Sequence, residues 1–149
     1  VKKFAYRLEP VLKMKAHVEK QRQKEHAVAM QQVYIQQDKL ESIAAEKQQT
    51  FESQRQRMTG PIRPHQLLVA SRYLIKLKRD TLTGTELLRA LEREAETRRM
   101  RLVEATKQKK IHEKLKEKLQ KKFVEEIETH EKKELDEIAV NGYRFRHRQ

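Results

Sequence analysis

The sequence predicts an all-α fold, a long antiparallel two-helix coiled-coil hairpin. Three observations predict it. Apolar residues recur in steps of three and four over most of the 149 residues. Glycine and proline crowd together at one central place. The composition, 38% charged against 36% hydrophobic with a mean hydropathy of -1.00, belongs to exposed helix rather than to a compact core. The reading is of one coiled-coil domain over 1–149, with a helix over about 4–58, a turn over about 59–65, a helix over about 66–140 and a flexible basic tail over 141–149.

The first helix holds no glycine, and its only proline, Pro10, lies near its start. Its apolar stripe runs through Leu8, Leu12 and Ala16, thins through "EKQRQKEH", then resumes at Ala29, Val33, Leu40, Ile43, Ala44 and Phe51. At "MTGPIRPHQ" Gly60, Pro61 and Pro64 force a turn, because a helix cannot run through them undisturbed. The second stripe begins at Leu67 and continues through Leu74, Leu77, Leu88, Leu91, Ala95, Leu102 and Ala105.

Two places break its regularity. Thr83 to Glu86 has capping-box spacing around Gly84, so the helix can stop and restart there, giving a break or short extra helix within 66–84. A single tolerated glycine costing about 1 kcal/mol, which leaves the helix continuous, is the favoured reading of the two. Further on, Ile111, Leu115, Leu119, Phe123 and Ile127 step by four, which drifts around the helix and predicts a stutter in the seam. Asn141-Gly142 supplies a stop signal, leaving Tyr143 and Phe145 in the tail.

Neither thin stripe can be buried alone, so the arms should fold back on each other. At 1.5 Å per residue they span roughly 80 Å and 110 Å, and the second should overhang. Continuous arms place Phe4 opposite the neighbourhood of Lys118 and leave "KKELDEIAV" unpaired. A broken second arm brings "YRLEPVL" opposite "ELDEIAV".

Several chemistries lack their residues. With no cysteine there is no disulfide, thiolate nucleophile or cysteine metal site. The longest apolar run, Leu67-Leu68-Val69-Ala70, is far short of a membrane span, and no secretory apolar region follows Lys2 and Lys3. Three scattered glycines cannot build a phosphate cradle. His130-Glu131-Lys132-Lys133-Glu134 has a glutamate where a zinc motif needs its second histidine, and Glu125 with Glu126 lack a pocket to desolvate them. The expectation is a protein that is not an enzyme, with no cofactor, no metal and no small-molecule substrate.

A formal charge of +13 calls for acidic partners. "KQKKIHEKLKEKLQKK" carries eight lysines against two glutamates, which would give salt-sensitive affinity for nucleic acid. Aromatics interleave only at its edge, so a solvated flank or a charged protein groove is favoured over nucleic acid. Near the turn lie Ile43, Phe51, Tyr73, Leu74 and Leu77. Tyr73-Leu74-Ile75 is more apolar sequence than one seam can cover, so part faces outward and suits a docking patch.

The two ends carry a resemblance. "FAYRLEPVLKMK" opens the chain with Phe4, Tyr6, Leu8 and Leu12, and "KLKEKLQKKFVEEIETHEKKELDEIA" approaches its end with Leu135, Asp136, Glu137 and Ile138. With the "TG" turn and "RYLIKLK" after it, this resembles the flagellar export protein FliJ family over nearly the whole length. "YRLEPVL" is also similar to stalk proteins of virulence type III secretion systems; the "E-x-x-x-LDEIA" ending favours the flagellar family. The resemblance implies a cytoplasmic component of the flagellar type III export apparatus, peripheral to the inner-membrane basal body and required for motility. It implies a coiled coil similar to the stalk of rotary ATPases, whose two-terminus end enters a hexameric export ATPase. Another surface would meet the cytoplasmic domain of the export gate, and export chaperones are further partners. Phe4, Tyr6, Leu8, Leu12, Leu135, Asp136, Glu137 and Ile138 would form the ATPase end, and Ile43, Phe51, Tyr73, Leu74 and Leu77 the patch near the turn. Outside that family, a basic coiled-coil nucleic-acid binder and a structural coiled-coil dimer are the competing classes.

Overall fold

A computed structural model describes residues 3–147, and they form two helices, α1 (Glu9–Arg57) and α2 (Pro64–Arg146). No strand occurs among the described residues, and none of their helices is long and apolar enough to cross a membrane. The helices pack against each other in opposite directions. Glu25 meets Arg98, Gln36 meets Gly84 and Glu46 meets Tyr73, so numbers rise on α1 as they fall on α2. This is the helical hairpin that the spacing predicts.

The termini of the helices follow from local chemistry. α1 starts at Glu9 rather than near Phe4, with Pro10 in its first turn, where its missing N–H is not needed and its fixed φ suits the helix. Glu9 also places a carboxylate at the positive end of the helix dipole. α1 ends at Arg57, where the Thr59 hydroxyl donates to the Gln56 carbonyl at 2.6 Å. α2 starts at Pro64, two residues before the predicted boundary, and the Arg63 carbonyl accepts from the backbone N–H of Gln66 at 3.1 Å. Pro64 thus occupies the first helical position.

The chain gathers into two compact units, Lys20–Val103 and a second formed by Val1–Glu19 with Glu104–Gln149. In the Lys20–Val103 unit the α2 residues withdrawn from solvent include Leu67, Ala70, Leu74, Leu77, Thr81, Gly84, Leu88, Leu91, Ala95 and Arg98. They alternate steps of three and four without a slip, a coiled-coil seam of period 3.5. On α1 the same alternation runs through Val33, Gln36, Leu40, Ile43, Lys47, Thr50 and Gln54. The seam is thin, since the only buried apolar side chains among the described residues are Tyr6, Val33, Leu77, Ala95 and Ala105.

Gly84 therefore sits at a seam position inside an unbroken helix, and neither a break nor a short extra helix occurs within 66–84. The capping-box spacing is unused because its termination would forfeit the seam on both sides. Thr81 and Thr85 instead donate their hydroxyls back to the carbonyls of Leu77 and Thr81, at 2.8 and 2.7 Å.

The unit containing both ends departs from expectation twice. The predicted stutter is not the path of the seam. Ile111 is 59% exposed and Leu115 and Leu119 are exposed too, while the half-buried positions are Gln108, Lys109, His112, Glu113 and Lys116. Phe123 and Ile127 alone of the four-step series are withdrawn from solvent. The lysine stems supply the contact and ion pairs to α1 carboxylates supply the pairing, so charge rather than hydrophobicity sets the register here. Second, α2 runs through Asn141-Gly142 to Arg146, not stopping at about 140. A glycine terminates a helix by taking positive φ, and none does so here. Its cost of about 1 kcal/mol is offset by the last turns, where Tyr143 and His147 stack with ring centroids 4.1 Å apart. The rest of the predicted flexible tail, residues 148–149, lies outside the described residues.

Candidate partner-binding surfaces

At the chain's ends the first residues clip onto α2. The Phe4 ring meets Phe123 with centroids 5.6 Å apart and planes tilted by 51°, the offset geometry aromatic pairs prefer. Tyr6 is buried; its hydroxyl points to the His112 carbonyl at 3.5 Å, and Lys116 Nζ stands 6.0 Å from its ring centroid. Lys116 also pairs with Glu9 at 2.7 Å. Further along, buried Glu19 accepts from Lys109 Nζ at 2.9 Å and from Thr106 Oγ1 at 3.0 Å. The Lys109 ammonium, and then Thr106, hold the Glu19 carboxyl below its ordinary value against the opposing effect of burial. Lys109 is correspondingly pushed up by Glu19.

These contacts fit the continuous arrangement rather than the broken one, with Phe4 against Phe123, five residues past the expected neighbourhood of Lys118. The eight residues predicted for the two-terminus surface consequently do not gather into one cluster. Phe4 and Tyr6 are tied to α2, Leu12 is half-buried and Leu8 is exposed. Leu135 lies three turns beyond Phe123, about 18 Å along the axis. Leu135 and Ile138 are 65% and 68% exposed, and Asp136 and Glu137 between them are exposed as well. From Glu128 to Asn141 every side chain is exposed, so this stretch of α2 presents a bare apolar pair flanked by carboxylates. His130 Nδ1 lies 3.3 Å from Glu134, an exposed pair one turn apart, and no group of three metal-binding side chains forms among the described residues.

In the Lys20–Val103 unit the five residues predicted for the patch divide between seam and surface. Leu77 is buried and Ile43 and Leu74 are half-buried, so they hold the helices together. Phe51 and Tyr73 are exposed. Two surface residues escaped the prediction, Leu68 and Val69, each about half exposed, and Ile75, from the run expected to face partly outward, is about half exposed as well. The signal was present, since four consecutive apolar residues, Leu67 to Ala70, cannot all face one seam.

Tyr73 donates its hydroxyl to Glu46 Oε2 at 2.8 Å. That hydrogen bond, with burial and the Glu46 charge behind it, pushes the phenol above its ordinary value. Glu46→Gln should therefore bring the Tyr73 titration, followed by NMR, back down towards the free-tyrosine range, with little change in stability because the pair is exposed. An unmoved titration would show that the bond does not persist in solution. Deeper in the same unit Glu25 accepts from Arg22 at 2.8 Å and from Arg98 at 3.3 Å. Arg22 first, and Arg98 behind it, hold the Glu25 carboxyl below its usual range.

Comparison with known proteins fits this architecture. The family model described as the flagellar FliJ protein matches residues 4–148. No curated protein and no solved structure matches the chain. Since the family match spans both helices, the turn and nearly all of the end segments, this chain belongs to the flagellar FliJ protein family and is thereby a component of flagellar type III protein export.

Proposed function

We propose that this chain is the non-enzymatic stalk of the flagellar export apparatus, coupling a hexameric export ATPase to the cytoplasmic domain of the membrane export gate. It works in the cytoplasm beside the inner-membrane basal body, with export chaperones as further partners, and supports motility through export. The observation that carries this reading is the bare stretch of α2 around Leu135 and Ile138. Two large apolar side chains on one helix face, both about two-thirds exposed, gain a cover only by docking. The ring of the ATPase is the cover proposed. The gate is assigned the exposed apolar side chains near the turn, Phe51, Leu68, Val69, Tyr73 and Ile75, of which Val69 and Tyr73 line one groove beside Glu46. With its thin polar seam, the hairpin gains order from partners that bind its folded form.

The test is a binding measurement between the full chain and purified export ATPase. Full burial of two such side chains accounts for roughly 3 kcal/mol, so Leu135→Ala with Ile138→Ala should weaken the complex by about a hundredfold. Both residues are about two-thirds exposed, so the helical content of the variant should match that of the parent. Undiminished affinity for the ATPase would remove this end of the helix from the interface.

A further inference from the structure

We propose that the outer face of α2 between Lys107 and Lys121 is a docking surface for an anionic phospholipid bilayer. Lys107, Lys110, Lys114, Lys118 and Lys121 are all exposed. Their steps of three, four, four and three keep them on one helix face, a straight row about 21 Å long. The neighbouring lysines are arranged differently. Lys109 and Lys116 turn to α1 and are engaged by Glu19 and Glu9, at 2.9 and 2.7 Å. The two glutamates of the stretch do little to neutralise the row: Glu113 is drawn to Lys109 at 3.6 Å, and Glu117 lies at the edge of the face. The fold thus pairs the inward lysines and, among the described residues, gives the outward ones no ion pair.

Beside that row runs a second one, Ile111, Leu115 and Leu119, displaced from the seam and left 59%, 38% and 40% exposed. Each falls within three or four residues of the ladder lysines, so the face is aliphatic along one flank and cationic along the other. This pairing chooses the ligand. A phosphate backbone needs the charges but has no use for aliphatic neighbours, and proteins that grip single strands add aromatics, which this face lacks. A bilayer uses both. Lysine stems lie along the apolar flank with their ammonium groups among the headgroups, while isoleucine and leucine enter the acyl boundary. Five lysines held at an anionic leaflet make an anchor that is reversible and screened by salt.

The surface shares no residue with the Leu135–Ile138 pair, so ATPase binding and vesicle binding can fail separately. The test is flotation of the full chain with vesicles in which about a third of the lipid is phosphatidylserine, against vesicles of phosphatidylcholine alone, at about 0.1 M salt. The parent should partition onto the anionic vesicles and not the neutral ones. Lys107→Glu, Lys114→Glu and Lys121→Glu together should reduce partitioning by about a hundredfold or more. Ile111→Gln with Leu115→Gln, which leaves every charge in place, should reduce it by about tenfold or more. Circular dichroism of both variants should be unchanged, since the substituted side chains face solvent. Equal partitioning onto the two lipids, or indifference to the lysine reversals, overturns the proposal. So does tight binding of duplex DNA combined with vesicle binding that is indifferent to the Ile111 and Leu115 changes, which would make the face a general polyanion surface.

Discussion

Gly84→Val should destabilise the hairpin by about 3 kcal/mol, read from urea unfolding followed by far-UV circular dichroism. Helix propensity alone points the other way, since valine is better than glycine inside α2 by less than about 1 kcal/mol. Packing decides the sign. A Cβ at this position would lie 2.7 Å from Leu40 Cδ2 and 3.1 Å from Gln36 Nε2. Gln36 is buried and donates to the Gly84 carbonyl at 3.1 Å, so displacing it leaves an amide without its partner in the seam. Alanine meets mainly the tip of Leu40, which can rotate away, so Gly84→Ala should change stability by less than about 1 kcal/mol. Valine adds two methyl groups on a stiff χ1 and cannot be accommodated by that rotation. Combining Gly84→Val with Leu40→Ala removes the nearest obstructing atoms and should recover part of the loss. A combined variant as unstable as the sum of the two would locate the strain elsewhere.

The same residue marks how far the sequence could be read. The hairpin, its turn at Gly60 and the continuity of α1 all follow from glycine, proline and apolar spacing, signals that act locally and point one way. Gly84 was ambiguous because one residue type serves two needs. A glycine beside capping-box spacing can end a helix, and a glycine in a seam can admit a side chain from the facing helix. Only Gln36 and Leu40, nearly fifty residues away, decide between them. The far part of α2 failed for a related reason. Ile111, Leu115 and Leu119 read as seam because they are apolar, yet Lys109 and Lys116 hold it through Glu19 and Glu9. A seam built from charge cannot be traced by hydrophobic periodicity. Asn141-Gly142 misled because a stop signal is permissive, and nothing beyond it required the helix to end. Of the candidate surfaces, the bare pair at Leu135 and Ile138 was legible as an overhang, whereas its separation from Phe4 and Tyr6 depended on the register.

The charged seam carries the second large effect, an acid-sensitive clasp near the chain's first residues. Glu19→Ala should open the contact between the start of α1 and α2 by about 2 kcal/mol near neutral pH, seen as faster amide hydrogen exchange over residues 9–19 and 106–116. The substitution removes the acceptor for both Lys109 and Thr106 and leaves a half-buried ammonium with only Glu113 for company. Because the folded state holds the Glu19 carboxyl below its ordinary 4.5, the clasp contributes its full stability above that value. It loses that stability as pH falls through the lower folded value, when the carboxyl must protonate. Lys109, pushed above its ordinary 10.5, sets the other boundary, and the contribution fades as pH rises through its folded value. Parent and Glu19→Ala should therefore differ most between these limits and converge in strong acid. A difference that persisted unchanged in acid would mean that packing, not charge, was lost. Glu19→Leu with Lys109→Met separates the two causes. It keeps the buried volume, removes both charges and turns the site into an apolar layer, which in other ion-pair replacements is neutral or stabilising. The double variant should match or exceed the parent at neutral pH and show no acid step, because the clasp would then be held by the hydrophobic seam that this part of α2 otherwise lacks.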